Sequence, residues 1–400
     1  MFTEVQIENY KSIQSLKIGL GRVNVFIGEN GCGKSNILEA IALAGAAAGN
    51  KLDNEFLAPR GIRVTEPEFM RSAFDKVNTT EEIKINLSVN NKNTLVFEID
   101  HDNHPYSNWN ANIAVQPNPN TIETLEKVME ELTRDFPEIQ ENQLVLDTPE
   151  IKDDKLAVEI ELKKFRSKIY FKRLSDIFKQ SNSLLKNFLI YSPENSSLRI
   201  FEEEGQIQPL GVKGEGLFKL LKILNNEQDK INEVKQRLKL IDWFDDFKVP
   251  NYDLERIIQI KDRYLDKDLS YFNQRSSNEG FLFLMFYFAL FISDDTPKFF
   301  AIDNIENALN PKLCTRLIRE LVELAKKYDK QVIFTTHNPA VLDGLDLHDD
   351  EQRLFVIYRN VDGHTKARRI SAPEPLEDDD PVQLSEAFIN GYLGGLPKNF

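Results

Sequence analysis

Nine residues, Gly28-Glu29-Asn30-Gly31-Cys32-Gly33-Lys34-Ser35-Asn36, constrain this chain more than any other stretch. They follow an apolar run, Val23 to Ile27, and precede Ile37-Leu38-Glu39-Ala40-Ile41-Ala42-Leu43, which reads as a helix. Glycine, four residues, glycine, lysine and serine, set between a buried strand and a helix, is a phosphate-loop pattern in its required context. The glycines let the backbone curl so that successive N–H groups converge on an anion. Lys34 is then placed for the outer phosphates, Ser35 for a magnesium ion, and the positive start of the helix for the same anion. A glycine turn with a chance lysine is the competing reading, and the flanking strand and helix argue against it. Cys32 sits where any small side chain serves.

Two distant segments complete such a site. Phe299-Phe300-Ala301-Ile302-Asp303 is an apolar strand ending in an acid, with Asp303 placed to reach the magnesium shell through water or Ser35. Val332-Ile333-Phe334-Thr335-Thr336-His337 is a second apolar strand, delivering a histidine. Alone, a histidine after a strand is usually structural. Its spacing after the Asp303 strand points to sensing of the terminal phosphate.

The remaining chain sorts by periodicity. Phe2, Val5 and Ile7 open one strand, and Ile13, Leu16, Ile18 and Leu20 a second. Residues 82–115 alternate at period two, as antiparallel sheet, and 116–120 form a polar break. Helical spacing follows at 121–136, strand character at 155–171, and a helical block at 215–240. From 298 the order is α/β: the Asp303 strand, a helix over 311–328, the His337 strand, and RLFVIYRN (353–360) as an edge strand. A proline-rich acidic linker then leads to LSEAFINGYLGG, a short amphipathic helix whose apolar face is available for association if left undocked. The expected division is 1–115, an N-terminal lobe with the loop and a β subdomain; 116–269, a mixed insertion; 270–370, a C-terminal lobe; and 371–400, linker and tail. No internal repeat is present, nor heptads sustained enough for a long coiled coil.

Composition sets the outer bounds. With 41% apolar residues and 27 Phe, 400 residues can bury a large core. No run of 18 uncharged apolar residues exists, which gives no candidate membrane span. The alternating N-terminus is unlike a signal peptide, and two cysteines, Cys32 and Cys314, suit a reducing cytoplasm. A net charge of −14 argues against nonspecific DNA affinity over the whole surface. One local strip, 163–173, carries six positive charges with aromatic neighbours; it is either a solvated face or a DNA-tracking patch. Asp100-His101-Asp102-Asn103-His104 superficially suggests metal ligands but reads better as a loop after a strand.

The order of these motifs resembles the ABC-type ATPase heads of the RecF, SMC and OLD group. The likeness runs through the first 45 residues and returns at 270–345. There Arg275-Ser276-Ser277-Asn278-Glu279-Gly280 matches the signature loop and Ala308-Leu309-Asn310-Pro311 the D-loop, with His337 as the switch histidine. The resemblance implies an α/β P-loop head with an N-terminal antiparallel β subdomain and a helical insertion between the Walker A and signature motifs. It also implies ATP and Mg²⁺ as ligands, with Asn30, Gly31, Gly33, Lys34, Ser35 and Asn36 on the nucleotide and Ser35 and Asp303 on the metal. ATP held by one subunit is closed by Ser277 and Gly280 of another, so the heads act as a homo-oligomer; a register with Ser276 in place of Ser277 is the alternative.

One departure matters. The family usually carries a glutamate after the strand aspartate, and here Asn304 stands there, grouped with Asp303 and His337 as the catalytic set. Asparagine orients a water but takes no proton from it. General-base help is worth about 10²–10⁴-fold, which leaves two outcomes: slow hydrolysis, or ATP binding without turnover. Glu306 is the nearest substitute, two residues further on. A narrower resemblance, in VKGEGLFKLL, TTHNPAVLDGLD and GYLGGLPKNF, is to stand-alone ATPases of bacterial anti-phage systems, of the Septu type with Gabija, PARIS and retron-associated relatives. It implies a separately encoded nuclease partner, of HNH type if the Septu likeness holds. A RecF-like repair ATPase acting on DNA ends or gaps is the alternative.

Overall fold

The computed structural model describes residues 1–90, 93–104, 106–117, 179, 181–201, 209–250, 256–269, 271–372 and 383–396. The helix expected at 121–136, the strand at 155–171 and the basic strip 163–173 lie outside the described residues.

Strict alternation builds the first sheet. β1 (Phe2–Tyr10) and β2 (Ile13–Gly19) pair antiparallel, followed across β1 by β4 (Ile83–Val89), β5 (Asn93–Asp100) and β6 (Asn110–Pro117), in the order β2-β1-β4-β5-β6. Val5, Ile7, Ile83, Ile85, Leu87, Leu95 and Phe97 are buried on one face, while Lys84 and Glu98 stand on the other. That is the pattern of a sheet with one face on a core.

The second sheet is six-stranded, in the order β14-β13-β3-β12-β11-β7. Its strands are β3 (Val23–Ile27), β7 (Ile190–Tyr191), β11 (Phe299–Ile302), β12 (Gln331–Thr336), β13 (Gln352–Arg359) and β14 (Thr365–Ile370). All neighbours are parallel except β13 and β14. Both faces are covered, so the strands are near-continuous apolar runs that divide residue by residue between two cores. Val25, Ile27, Phe300 and Ile302 enter one core, whereas Phe26, Phe299 and Ala301 enter the other.

Helix α1 (Lys34–Ala48) fills the space between the two sheets, with Ile37 to Ala46 almost entirely buried. On the opposite side of the six-stranded sheet lies α4 (Glu279–Ile292), where Phe281 to Ile292 are all buried. A helix apolar all round has to be central. Packed around it are α2 (Leu217–Asn225), α3 (Gln228–Leu238), α5 (Pro311–Lys327) and a three-stranded sheet of β8 (Phe244–Lys248), β9 (Gln259–Asp262) and β10 (Tyr271–Asn273). Helix α5 starts where predicted, with the Asn310 side chain accepting from Leu313 N at 3.0 Å and Pro311 in the first turn.

One expectation needs correction. RLFVIYRN is not an edge strand: β13 lies between β3 and β14, and its buried run Leu354–Ile357 reflects cover on both faces. The edge belongs to β14, whose charged TKARRI sequence suits a strand with one side open to water. Of the two outcomes open for the tail, residues 383–396 take the docked one, although Ile389 and Tyr392 stay exposed. Helix α6 (Leu384–Ile389) buries Phe388 in the core of its own head, Ser385 N donates to Asp343 Oδ1 at 2.9 Å, and Arg368 donates to the Leu393 carbonyl.

Candidate functional site

The loop 28–36 leaves the end of β3 and turns into α1 through Gly33, whose φ of 106° is left-handed. A β-carbon on Gly33 would also lie 2.1 Å from Thr365 Oγ1, so glycine is required on both counts. No side chain caps α1, which leaves its first N–H groups directed at the cleft beside the loop. The Lys34 ammonium bridges the carbonyls of Gly28 (2.9 Å) and Glu29 (3.1 Å). Burial lowers its pKa from the usual lysine range, and neighbouring Cys32 and Asp303 partly offset this.

Asp303 follows the last residue of β11, and β12 runs parallel beside it. Ser35 Oγ donates to Asp303 Oδ2 at 3.1 Å, joining residues 268 positions apart. The Thr335 hydroxyl donates to the other Asp303 oxygen and accepts from Asn304 N at 2.9 Å. Asn304 has a φ of 55°, a left-handed position that asparagine tolerates better than most residues. His337 emerges from the end of β12. Burial and the nearby Lys34 charge lower its pKa, while Glu306, Asp303 and the Gly28 carbonyl act in the opposite direction.

Together these residues line a cleft of about 330 Å³. Asn30, Gly31, Gly33, Lys34, Ser35 and Asn36 enclose it from the loop and α1. Asp303, Asn304 and His337 face them from the ends of β11 and β12. A hydroxyl and a carboxylate 3.1 Å apart, beside uncapped helix N–H groups and a lysine, suit a hard divalent cation and a phosphate chain. Glu306 does not line this cleft; its Oε1 accepts from His337 N at 2.8 Å, and its Oε2 is buried without a partner.

Ser277 and Gly280 stand apart from the cleft, at the start of α4. Asn278 caps this helix, accepting from Phe281 N at 2.8 Å. Gly280 abuts the D-loop, where an added β-carbon would sit 3.0 Å from the Ala308 carbonyl. Ser277 is buried and its hydroxyl has no partner, whereas Ser276 is exposed. Among the described residues no group of His, Cys, Asp or Glu converges as metal ligands. His101 instead packs on Trp109 at 5.0 Å between ring centres.

Several site residues escaped sequence reasoning. Arg359, at the end of β13, donates to the Gly31 carbonyl at 2.9 Å, and Thr365 Oγ1 donates to the Cys32 carbonyl at 2.9 Å. The hairpin of β13 and β14 therefore clamps the loop from outside. Arg63, in a segment without regular periodicity, also lines the cleft. Beyond Asn36, Arg63 and Arg359 the cleft continues into a second space of about 430 Å³, bordered by Lys11, Ser12 and Phe74. Only Thr335 left a signal: it lies two residues before His337 in the run that reads as a strand.

Comparison with known proteins agrees with this geometry. A family profile described as "AAA domain, putative AbiEii toxin, Type IV TA system" matches residues 23–343. The DNA replication and repair protein RecF of Bacillus cereus (strain G9842) is 28% identical over 101 residues, covering 24% of this chain and 26% of RecF. RecF of Bacillus cytotoxicus is 27% identical over the same length and coverage. The chain thus spans about a quarter of the length of these curated relatives. An SMC head bound to the C-winged helix domain of ScpA superposes with a TM-score of 0.54 at 14% identity, covering 92% of this chain and 98% of that one. The SMC head domain from Thermotoga maritima gives 0.46 at 16% identity, covering 92% and 99%. The fold is that of an ABC-type, SMC-head-like P-loop ATPase, and the chain belongs to the AAA-domain family whose profile spans the β3 loop, the Asp303 strand and His337.

Proposed function

We propose that this chain is an ATP-binding head that closes with a second copy around the nucleotide, hydrolyses it slowly or not at all, and controls a separately encoded nuclease in an anti-phage complex. The observation that carries the first part is the pairing of Ser35 with Asp303 in a cleft whose next residue is Asn304, not a carboxylate. Lys34 and the first N–H groups of α1 hold the phosphates, and Asn30, Gly31, Gly33 and Asn36 shape the wall. Ser35 and Asp303 hold Mg²⁺, which when bound supplies positive charge against the phosphate oxygens. Asn304 orients a water without removing its proton, so turnover lacks the carboxylate base usual at that position, and His337 senses the terminal phosphate.

Closure by a second copy is supported by the 14-residue helix α4, whose start carries Ser277 and Gly280 outside the cleft of its own subunit. Set against a second copy's loop, the helix start by Gly280 completes the anion site, with Ser277 beside it. In this reading 1–115 and 270–370 supply the two nucleotide lobes, 116–269 is the insertion, and 371–400 is an acidic linker and amphipathic tail. The defence role rests on the resemblance in the glycine-rich and tail segments, and DNA contact through 163–173 on composition. No described helix is long and apolar enough to cross a membrane.

The test is reconstitution with the nuclease encoded beside this chain. Native mass and DNA cleavage are measured with ATP, with ADP and without nucleotide. A stable complex whose cleavage changes with ATP is the expected result. Absence of both, with turnover stimulated by DNA ends or gaps, would replace this reading by a RecF-like repair ATPase.

A further inference from the structure

Glu39 lies on α1 one turn beyond Ser35, and only 2% of its side chain is exposed. A carboxylate buried that deeply needs partners on both oxygens. One oxygen accepts from the Lys11 ammonium and from Tyr10 OH at 3.4 Å; the other accepts from the Arg63 guanidinium. Arg63 comes from a segment without helix or strand, and 65% of its side chain is exposed. Its main chain is tied to the same pair, Arg63 N donating to Glu39 Oε1 at 3.5 Å and Lys11 Nζ to the Arg63 carbonyl at 2.8 Å, which leaves the side chain to be fixed separately. What fixes it is Glu39 from behind and Asn36 Oδ1, which accepts from Arg63 at 2.9 Å.

The contacts continue to the loop. Asn36 donates to Ser12 Oγ at 2.6 Å, Ser12 shares a hydrogen with Thr365 Oγ1 at 2.7 Å, and Thr365 donates to the Cys32 carbonyl. One buried carboxylate thus faces two cations, and both cations border the space next to the phosphate cleft. We propose that Glu39 is a positioning residue for nucleotide binding: it anchors Arg63, and with it Lys11, at the outer mouth of the cleft, where Arg63 contacts the phosphate chain.

This rests on the nucleotide-binding reading of the cleft and adds to it a contact outside the loop motif. The alternative is a Glu39 that merely neutralises buried charge, and a double-mutant cycle separates the two. Affinity for the magnesium complex of adenylyl-imidodiphosphate is measured by calorimetry on folded protein, checked by circular dichroism, for wild type, R63Q, E39Q and the double variant. R63Q is a substitution at an exposed side chain and is expected to fold. It should weaken binding about tenfold, the scale of one charge-assisted hydrogen bond. E39Q should weaken it by a similar factor, and the double variant should be no weaker than either single one. Unchanged affinity in R63Q overturns the proposal, as do losses from R63Q and E39Q that multiply in the double variant. If E39Q does not fold, E39D replaces it, with the same expectation of a non-multiplying loss. Failure of wild type itself to bind the analogue would instead overturn the nucleotide reading on which the proposal stands.

Discussion

Replacing Asn304 by glutamate tests whether the site lacks only a base. Asn304 borders the cleft with Asp303 and His337, and its main chain is held by Thr335 Oγ1 at 2.9 Å. A glutamate there would begin from the same anchored backbone and add a carboxylate able to take a proton from water. General-base catalysis is worth about 10²–10⁴-fold, or roughly 3–5 kcal/mol of barrier. Against this stands the φ of 55°, where glutamate is less comfortable than asparagine. That strain costs about 1 kcal/mol, which appears chiefly as lower stability. A gain of at least tenfold in phosphate release at saturating ATP is therefore expected, together with a small drop in melting temperature. The assay is steady-state phosphate release with Mg²⁺, with binding of the analogue measured in parallel. An unchanged rate in a variant that is folded and still binds ATP would refute the idea that Asn304 limits turnover.

Lys34→Ala removes the ammonium at the loop and should abolish ATP binding; tight binding retained in calorimetry would sink the loop assignment. Phe388→Ala should destabilise the head by about 3 kcal/mol, because this ring is buried in the core rather than offered to a partner; an unchanged unfolding midpoint in denaturant would show that the tail is not docked. Asp294, hydrogen-bonded to Lys230 (2.8 Å) and Lys298 (3.0 Å), has its pKa pulled down to about 2 by these partners. Its folded pKa lies below the unfolded value of about 3.9, so its contribution is present above pH 4 and lost as pH falls through 2. Asp294→Asn should flatten the loss of stability over that interval, and an acid-unfolding curve superposing on wild type would contradict this.

What the sequence determined by itself was local. The strand, glycine loop and helix around Lys34 are contiguous, and their residue types carry the phosphate chemistry wherever the chain is placed. Short, mostly apolar runs announced β3, β11 and β12, and Asn310-Pro311 announced the start of α5. Motif order was enough to place Asp303 opposite Ser35, although 268 positions separate them.

Tertiary structure decided the rest, because those contacts are set by sheet order and by loops that have no period to read. That β13 is interior depended on β14 pairing outside it, which an apolar run cannot reveal. Arg359 and Thr365 reach the loop carbonyls only because that hairpin lies next to β3. The tail reads as an amphipathic helix in either case; whether its apolar face meets a partner or its own head depends on a surface assembled from distant residues. Glu39 looked like one more polar residue on a helix. Burial between two sheets, with Lys11 and Arg63 brought to it from separate segments, is what makes it an anchor.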